Sequence, residues 1–360
     1  MDSKTRFIGL MSGTSLDGLD LCCVDFLSQK NELIYDIVAT RAVPYDAGFK
    51  KELKEAINFQ ELQVSRLSVD FAKFMANQVN VFIQDNHLED SVDYIASHGH
   101  TVFHQPQKGI TIQVGDGQVL ADLTKISVVN DFRVGDVKLG GQGAPLVPIG
   151  DRLLFHEYES CLNLGGISNL SFEKNGERIA FDIGPANIPL NYLMMDEAGK
   201  DYDENGQLAK SGQVIQAMLR DLNRLSYYND PIPKSLGIEW MRSDLFPIIQ
   251  KYQSESLADR LATIVEHEAI QIAEVLNKNE LRNVLITGGG VFNSYLLERI
   301  ALYSNASIEV PEKQVVEFKE ALIFALLGYL RVFNQINVLS SVTGATKDSC
   351  AGIIHTPSIK

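Results

Sequence analysis

Two apolar runs open the chain, Phe7–Leu10 and Leu19–Phe26, with the small polar cluster Ser12-Gly-Thr-Ser15 between them. That pattern predicts a β-hairpin with a small-residue turn. Glu32–Arg41 reads as a third strand and closes an antiparallel meander. Asp46–Asn58 predicts a short charged helix. Leu62–Leu88 predicts a longer one, because Leu67, Phe71, Phe74, Met75, Val79 and Phe82 recur near a 3.6-residue period. Short buried strands follow at Tyr94–His98, Thr111–Val114 and Ile126–Val129.

The second half restarts the theme. Cys161–Phe172 is again strand, glycine turn, strand, and Ile179–Asp182 is a strand ending on a carboxylate. A helix is expected from about Ala186 to Met195, then a helix at Leu257–Asn277 and a strand at Asn283–Thr287. The turn Gly288-Gly-Gly290 leads into a helix from Asn293 to Tyr303, and a charged helix spans Glu317–Phe333. A repeated hairpin sheet with interspersed helices predicts two α/β domains around a cleft. The glycine- and proline-punctuated crossing Gly140–Pro148 is the expected boundary and hinge. The domains are therefore drawn at 1–140 and 141–336, with the tail 337–360 expected to pack back on the first.

Composition narrows the function more than the fold. A formal net charge of −14 over 360 residues argues against nucleic acid, which needs a basic footprint. Cys22, Cys23, Cys161 and Cys350 have neither metal-ligand spacing nor disulfide density, and read as reduced thiols of a cytosolic protein. No signal-peptide pattern and no run of eighteen apolar residues occurs, so neither export nor a membrane span is expected.

Three glycine turns carry the candidate chemistry: Gly13–Gly18, Leu164–Asn169 and Thr287–Asn293. None is the P-loop string. Small turns of this kind expose backbone N–H groups to an anion. Gly9, Gly13 and Gly18 would let backbone approach a ligand, while Asp17 and Asp20 would need a metal ion between them and a phosphate. Together the turns fit a nucleotide clamped between two domains, the hairpins on the phosphates and the GGG turn beside the adenosine. His98, His100 and His104 lack helical-face spacing and accompanying Cys or carboxylate groups, so they read as lining a polar cleft or satisfied in a loop rather than as metal ligands.

This layout resembles the sugar kinase, heat-shock chaperone and actin superfamily. Within it, Met11–Asp20, His98-Gly-His-Thr101, Gly140–Pro148, Leu162–Asn169, Phe181–Pro185, Lys234-Ser-Leu-Gly237, Gly288–Asn293 and Val342-Thr-Gly-Ala345 resemble the anhydro-N-acetylmuramic acid kinase family. The strings fall in family order from residue 7 to residue 345, covering nearly the whole chain. The resemblance implies two actin-like (ribonuclease H-like) α/β domains, and an ATP-dependent, hydrolytic opening of the 1,6-anhydro ring with phosphorylation of O6. It implies ATP and Mg²⁺ as cofactors, an amino sugar as substrate, a role in cell-wall recycling and a cytoplasmic location, and it leaves a homodimer open.

Residue by residue, the resemblance makes Asp182 the general base, in competition with a plainer role as a helix cap. ATP would contact Gly13, Thr14, Ser15, Leu16, Asp17, Gly18, Leu19, Asp20, Gly165, Gly166, Gly288, Gly289, Gly290 and Asn293. The sugar would contact Thr14, His98, Arg133, Asp182 and Glu320, with Arg133 suited to the lactyl carboxylate or a phosphate; a surface ion pair for Arg133 and a solvated helix face for Glu320 stay open. Asp17 would hold Mg²⁺ through water. Three departures stand out from the family pattern: Ile183 for a threonine, Ala186 for a glycine, and Asn191 where a carboxylate is common. Loss of the threonine hydroxyl would remove a phosphate or sugar donor. Two alternatives stay open on those grounds, a kinase of the same superfamily for another sugar and an ATP-binding regulator without turnover.

Overall fold

In the computed structural model, residues 4–13, 16–29 and 32–358 are described. They divide into two compact units, one running to Leu154 and rejoined by Phe318–Lys360, the other Phe155–Glu317.

In the first unit, strands β1 (Thr5–Ser12), β2 (Gly18–Gln29) and β3 (Glu32–Pro44) form an antiparallel meander. β4 (Tyr94–Ser97) pairs with β1 in parallel, and a small separate sheet holds β5 (His100–Gln105) and β6 (Ile110–Val114). β7 (Ser127–Asn130) pairs in parallel with β4, and the short strand Ile353–His355 completes the six-stranded order outside it. The central strands are buried on both faces, as the near-continuous apolar run Leu21–Phe26 requires. Helix Glu61–Asp85 lays Val64, Leu67, Phe71, Met75, Val79 and Phe82 on the sheet, the stripe its periodicity predicts.

In the second unit, β8 (Ser160–Leu164), β9 (Ile167–Lys174) and β10 (Glu177–Pro185) repeat the meander. β11 (Asn283–Thr287) and β12 (Ser307–Glu309) extend it in parallel. The order β10-β9-β8-β11-β12 mirrors β3-β2-β1-β4-β7. Each unit is thus the actin-like, ribonuclease H-like α/β layout expected. Helix Leu257–Lys278 is buried almost all round, and Ser256 starts it by accepting the Asp259 N–H, a cap worth ~1 kcal/mol.

The boundary differs from the one drawn at 140/141. Residues Gly141–Leu154 belong to the first unit. The Gly140–Pro148 crossing is pinned there instead of forming a hinge. Asp136 is fully buried and accepts the Gly143 N–H at 2.7 Å and the Thr343 hydroxyl at 2.7 Å. The Gln142 N–H donates to the Thr343 carbonyl at 2.8 Å. Glycine and proline marked a tight wrap around a buried carboxylate, and composition alone does not distinguish that from a flexible joint.

Candidate functional site

The first unit gathers its polar residues at the carboxyl ends of parallel β1, β4 and β7, where open α/β sheets place ligands. β1 ends at Ser12, which pairs with Leu19, so Gly13–Gly18 closes the first hairpin. Thr14 and Ser15 lie outside the described residues. Leu16 turns the chain with φ 60°, Asp17 is exposed, and Asp20 is half-buried on β2.

Two glycines of this hairpin pack directly against main chain. A Cβ on Gly9 would fall 1.9 Å from the Ala321 carbonyl oxygen of helix Lys313–Val332, and one on Gly18 would fall 2.3 Å from the Val43 carbonyl oxygen. The close seating of that helix on β1 places Glu320 and Phe324 near the strand ends.

His98 follows β4, and its Nδ1 lies 3.3 Å from the Ser12 carbonyl. A carbonyl only accepts, so Nδ1 carries the proton and Nε2 is bare. Arg133 donates to that Nε2 from Nε at 3.2 Å and Nη2 at 3.0 Å, and from Nη1 to the Gly143 carbonyl at 2.6 Å. Burial and the neighbouring guanidinium hold His98 neutral, far below its ordinary range. Burial lowers Arg133 to about 10, still charged at neutral pH, with Glu320 opposing the shift. Burial raises the Glu320 carboxyl and Arg133 pulls it back; solvent reaches this side chain, which limits the rise.

His98, expected against the sugar, thus has both nitrogens occupied by protein. Arg133 and Glu320 lie close enough for each to shift the other's charge. His100 instead pairs its Nδ1 with the Ser12 hydroxyl, 2.9 Å away, while Tyr45 donates to that hydroxyl at 2.6 Å. Burial lowers His100 to about 4. Its neutral imidazole braces the hairpin from behind.

In the second unit three turns converge. The β8–β9 turn exposes Gly165-Gly166, whose carbonyls accept the Asn187 and Ala186 N–H groups at 3.1 and 3.0 Å. Asn187 donates its side-chain amide to the Leu164 and Gly165 carbonyls. Gly288, at φ 85°, packs against Leu164 where a Cβ would lie 2.8 Å from its carbonyl oxygen; only glycine suits that conformation and that space. Asn293 caps helix Ser294–Tyr303 by accepting the Leu296 N–H at 3.0 Å, so its carbonyl oxygen is committed to structure.

Asp182 sits at a bulge in β10 and is half-buried. No side-chain cap bond starts the helix Asn187–Leu193, so Asp182 does not serve as its cap. Its Oδ2 accepts the Leu236 N–H at 2.8 Å. Its own N–H donates to the Lys234 carbonyl at 2.9 Å, and Tyr227 donates a hydroxyl to its carbonyl at 2.6 Å. Lys234 in turn donates to the Tyr227 carbonyl at 2.7 Å, its ammonium 4.2 Å over that ring. Burial raises the Asp182 carboxyl and the Leu236 N–H partly offsets it. Tyr227 and Leu236 were not singled out from sequence; the Lys234-Ser-Leu-Gly237 string was the available signal.

The Ile183 departure is a matter of packing. Its side chain is 1% exposed and lies in the core with Phe181, Leu190 and Leu193. A threonine here would turn its hydroxyl inward, so no ligand donor is missing. Ala186 is fully buried, its methyl accommodated. Ile183→Thr is expected to cost about 2 kcal/mol, from a buried hydroxyl and lost apolar contact. Chemical denaturation reads that cost, and the sugar KM should not move; a changed KM with unchanged stability would put the side chain at the ligand.

Comparison with known proteins agrees with this layout. The anhydro-N-acetylmuramic acid kinase family (AnmK) matches residues 5–357. A protein of that name from Sulfurimonas denitrificans is 32% identical over 97% of this chain and 99% of its own length. Those from Hydrogenovibrio crunogenus and Pasteurella multocida are 34% and 35% identical, each over 98% of this chain, and 98% and 97% of their own. The chain belongs to the anhydro-N-acetylmuramic acid kinase family.

Proposed function

We propose that this chain is an ATP-dependent kinase that opens the 1,6-anhydro ring of anhydro-N-acetylmuramic acid with water and phosphorylates O6, giving N-acetylmuramic acid 6-phosphate. The observation that carries the reading is Asp182. One carboxylate oxygen is held by the Leu236 N–H and both backbone groups are tied to the 227–234 segment, while burial raises its proton affinity. A fixed carboxylate with a raised pKa is what a general base for water requires.

Asp182 takes a proton from water as the water oxygen bonds to the anomeric carbon. The bond from that carbon to the bridging oxygen breaks, and the bridging oxygen, now O6, bonds to the γ-phosphorus as ADP leaves. Arg133 keeps one N–H on each of Nη1 and Nη2 beyond those given to His98 and Gly143. That end-on pair suits the lactyl carboxylate, and Glu320 accepts from sugar hydroxyls.

Taken unit by unit, the first offers the Gly13–Gly18 turn to phosphate, and the second offers Gly165-Gly166 to phosphate and Gly288–Gly290 to adenosine. No cluster of three or more His, Cys, Asp or Glu suited to a metal occurs among the described residues. Mg²⁺ would be held by phosphate oxygens and water, with the exposed Asp17 as its protein partner through water. Bound there, Mg²⁺ neutralises phosphate charge. The proposed reaction is that of a cytoplasmic enzyme. No helix among the described residues is long and apolar enough to cross a membrane.

The test is the reaction in ¹⁸O-water with ATP and anhydro-N-acetylmuramic acid, followed by mass spectrometry. The product should gain the elements of water and one phosphoryl group, and the heavy oxygen should remain after phosphatase treatment. ADP release without a labelled sugar phosphate would overturn the reading.

A further inference from the structure

One imidazole touches both ends of the first unit's site. Through Nδ1–H, His98 holds the Ser12 carbonyl, the last residue of β1 before the Gly13–Gly18 turn. Through Nε2 it receives two N–H groups of Arg133, with the Thr101 hydroxyl 3.5 Å from the same nitrogen. The ring is 6% exposed and packs on Phe324 at 4.7 Å between centroids, which fixes its plane. A rigid plane with a donor at one edge and an acceptor at the other transmits displacement. If the turn shifts Ser12, the ring follows, and Arg133 with it.

We infer that His98 is a positioning residue that couples the nucleotide turn to the sugar-binding arginine, so that a filled turn tightens sugar binding. The inference rests on the assignment of that turn to phosphate and of Arg133 to the sugar.

Two substitutions separate the arms, because an asparagine amide nitrogen matches the position of Nδ1 and a glutamine oxygen matches that of Nε2. His98→Asn keeps the Ser12 bond and frees Arg133; His98→Gln keeps the Arg133 bond and frees Ser12. In the wild-type enzyme, a non-hydrolysable ATP analogue should tighten binding of anhydro-N-acetylmuramic acid by about five-fold or more, within the usual span of coupling. His98→Gln should keep the sugar affinity of the nucleotide-free enzyme and lose that tightening. His98→Asn should raise the sugar KM about ten-fold with a smaller change in kcat, approaching Arg133→Ala.

Tightening that survives in His98→Gln, or is absent from the wild type, overturns the coupling. A wild-type sugar KM in His98→Asn overturns the positioning. Arg133→Ala with an unchanged sugar KM would fault the assignment of the arginine instead, and is thereby distinguishable. A measurement on the unaltered chain guards against misfolded variants: ¹⁵N-histidine NMR should show His98 neutral and protonated at Nδ1, and the opposite tautomer would sink the inference.

Discussion

Asp182→Asn should lower kcat by about a thousand-fold and leave nucleotide affinity within about two-fold of wild type. The substitution is nearly isosteric, and the asparagine oxygen can still accept the Leu236 N–H now received by Oδ2. The bonds from Tyr227 and to Lys234 use the residue's backbone and do not depend on its side chain. What disappears is the ability to take a proton from water, so the loss falls on the chemical step. The wild-type pH profile should agree. Burial raises the Asp182 carboxyl, and only its ionised form is a base. Activity should therefore fall as pH drops through a value raised from the carboxyl's ordinary one, and this acid limb should be missing from the residual activity of Asp182→Asn. His98 should not contribute to that limb, being neutral throughout it. Isothermal titration with ADP and steady-state assays across pH read both outcomes. A fully active Asp182→Asn enzyme would remove the residue from catalysis.

Much of this was legible in the chain, for reasons particular residues make plain. The meanders follow from apolar runs broken by small polar turns, and the long helices from a 3.6-residue stripe, so the twofold layout could be read directly. The strand Ile353–His355 escaped because three residues carry no periodicity, and its pairing with β7 depends on a partner more than 200 positions away. Glycine was the least readable residue. Gly288 holds a positive φ against Leu164, Gly9 and Gly18 serve the approach of backbone to backbone, and Gly141 and Gly143 wrap Asp136. All of these look alike in sequence, because the missing side chain says only that space is short, not what fills it. His98 shows the same limit. The resemblance implied a sugar contact, whereas its ring nitrogens meet Ser12 and Arg133, neither adjacent in the chain.

Gly9→Ala should destabilise the first unit by about 2 to 3 kcal/mol, lowering its melting temperature by ~5 to 10 °C. Two effects compete. Gly9 does not have positive φ, so alanine fits its backbone, and the stiffer unfolded chain would favour the folded state by about 0.4 to 1 kcal/mol. Against this, the new methyl would lie 1.9 Å from the Ala321 carbonyl oxygen and 2.9 Å from the Ala325 nitrogen. Both are main-chain atoms of a helix, with no rotamer to move aside. The helix must retreat from β1, loosening Leu322, Phe324 and Leu326, which are all buried, so overpacking outweighs the entropic gain. Retreat also displaces Glu320, one residue before the contact, from Arg133. The sugar KM should therefore rise even where the variant is folded, while nucleotide binding changes less. Gly135→Ala supplies the control. That glycine lies in helix Val134–Lys138 with its nearest neighbour at an ordinary 3.5 Å, so alanine there should be neutral or stabilising. Equal melting temperatures for Gly9→Ala and the wild type would mean that the helix does not rest on β1, and the placement of Glu320 beside Arg133 would fall with it.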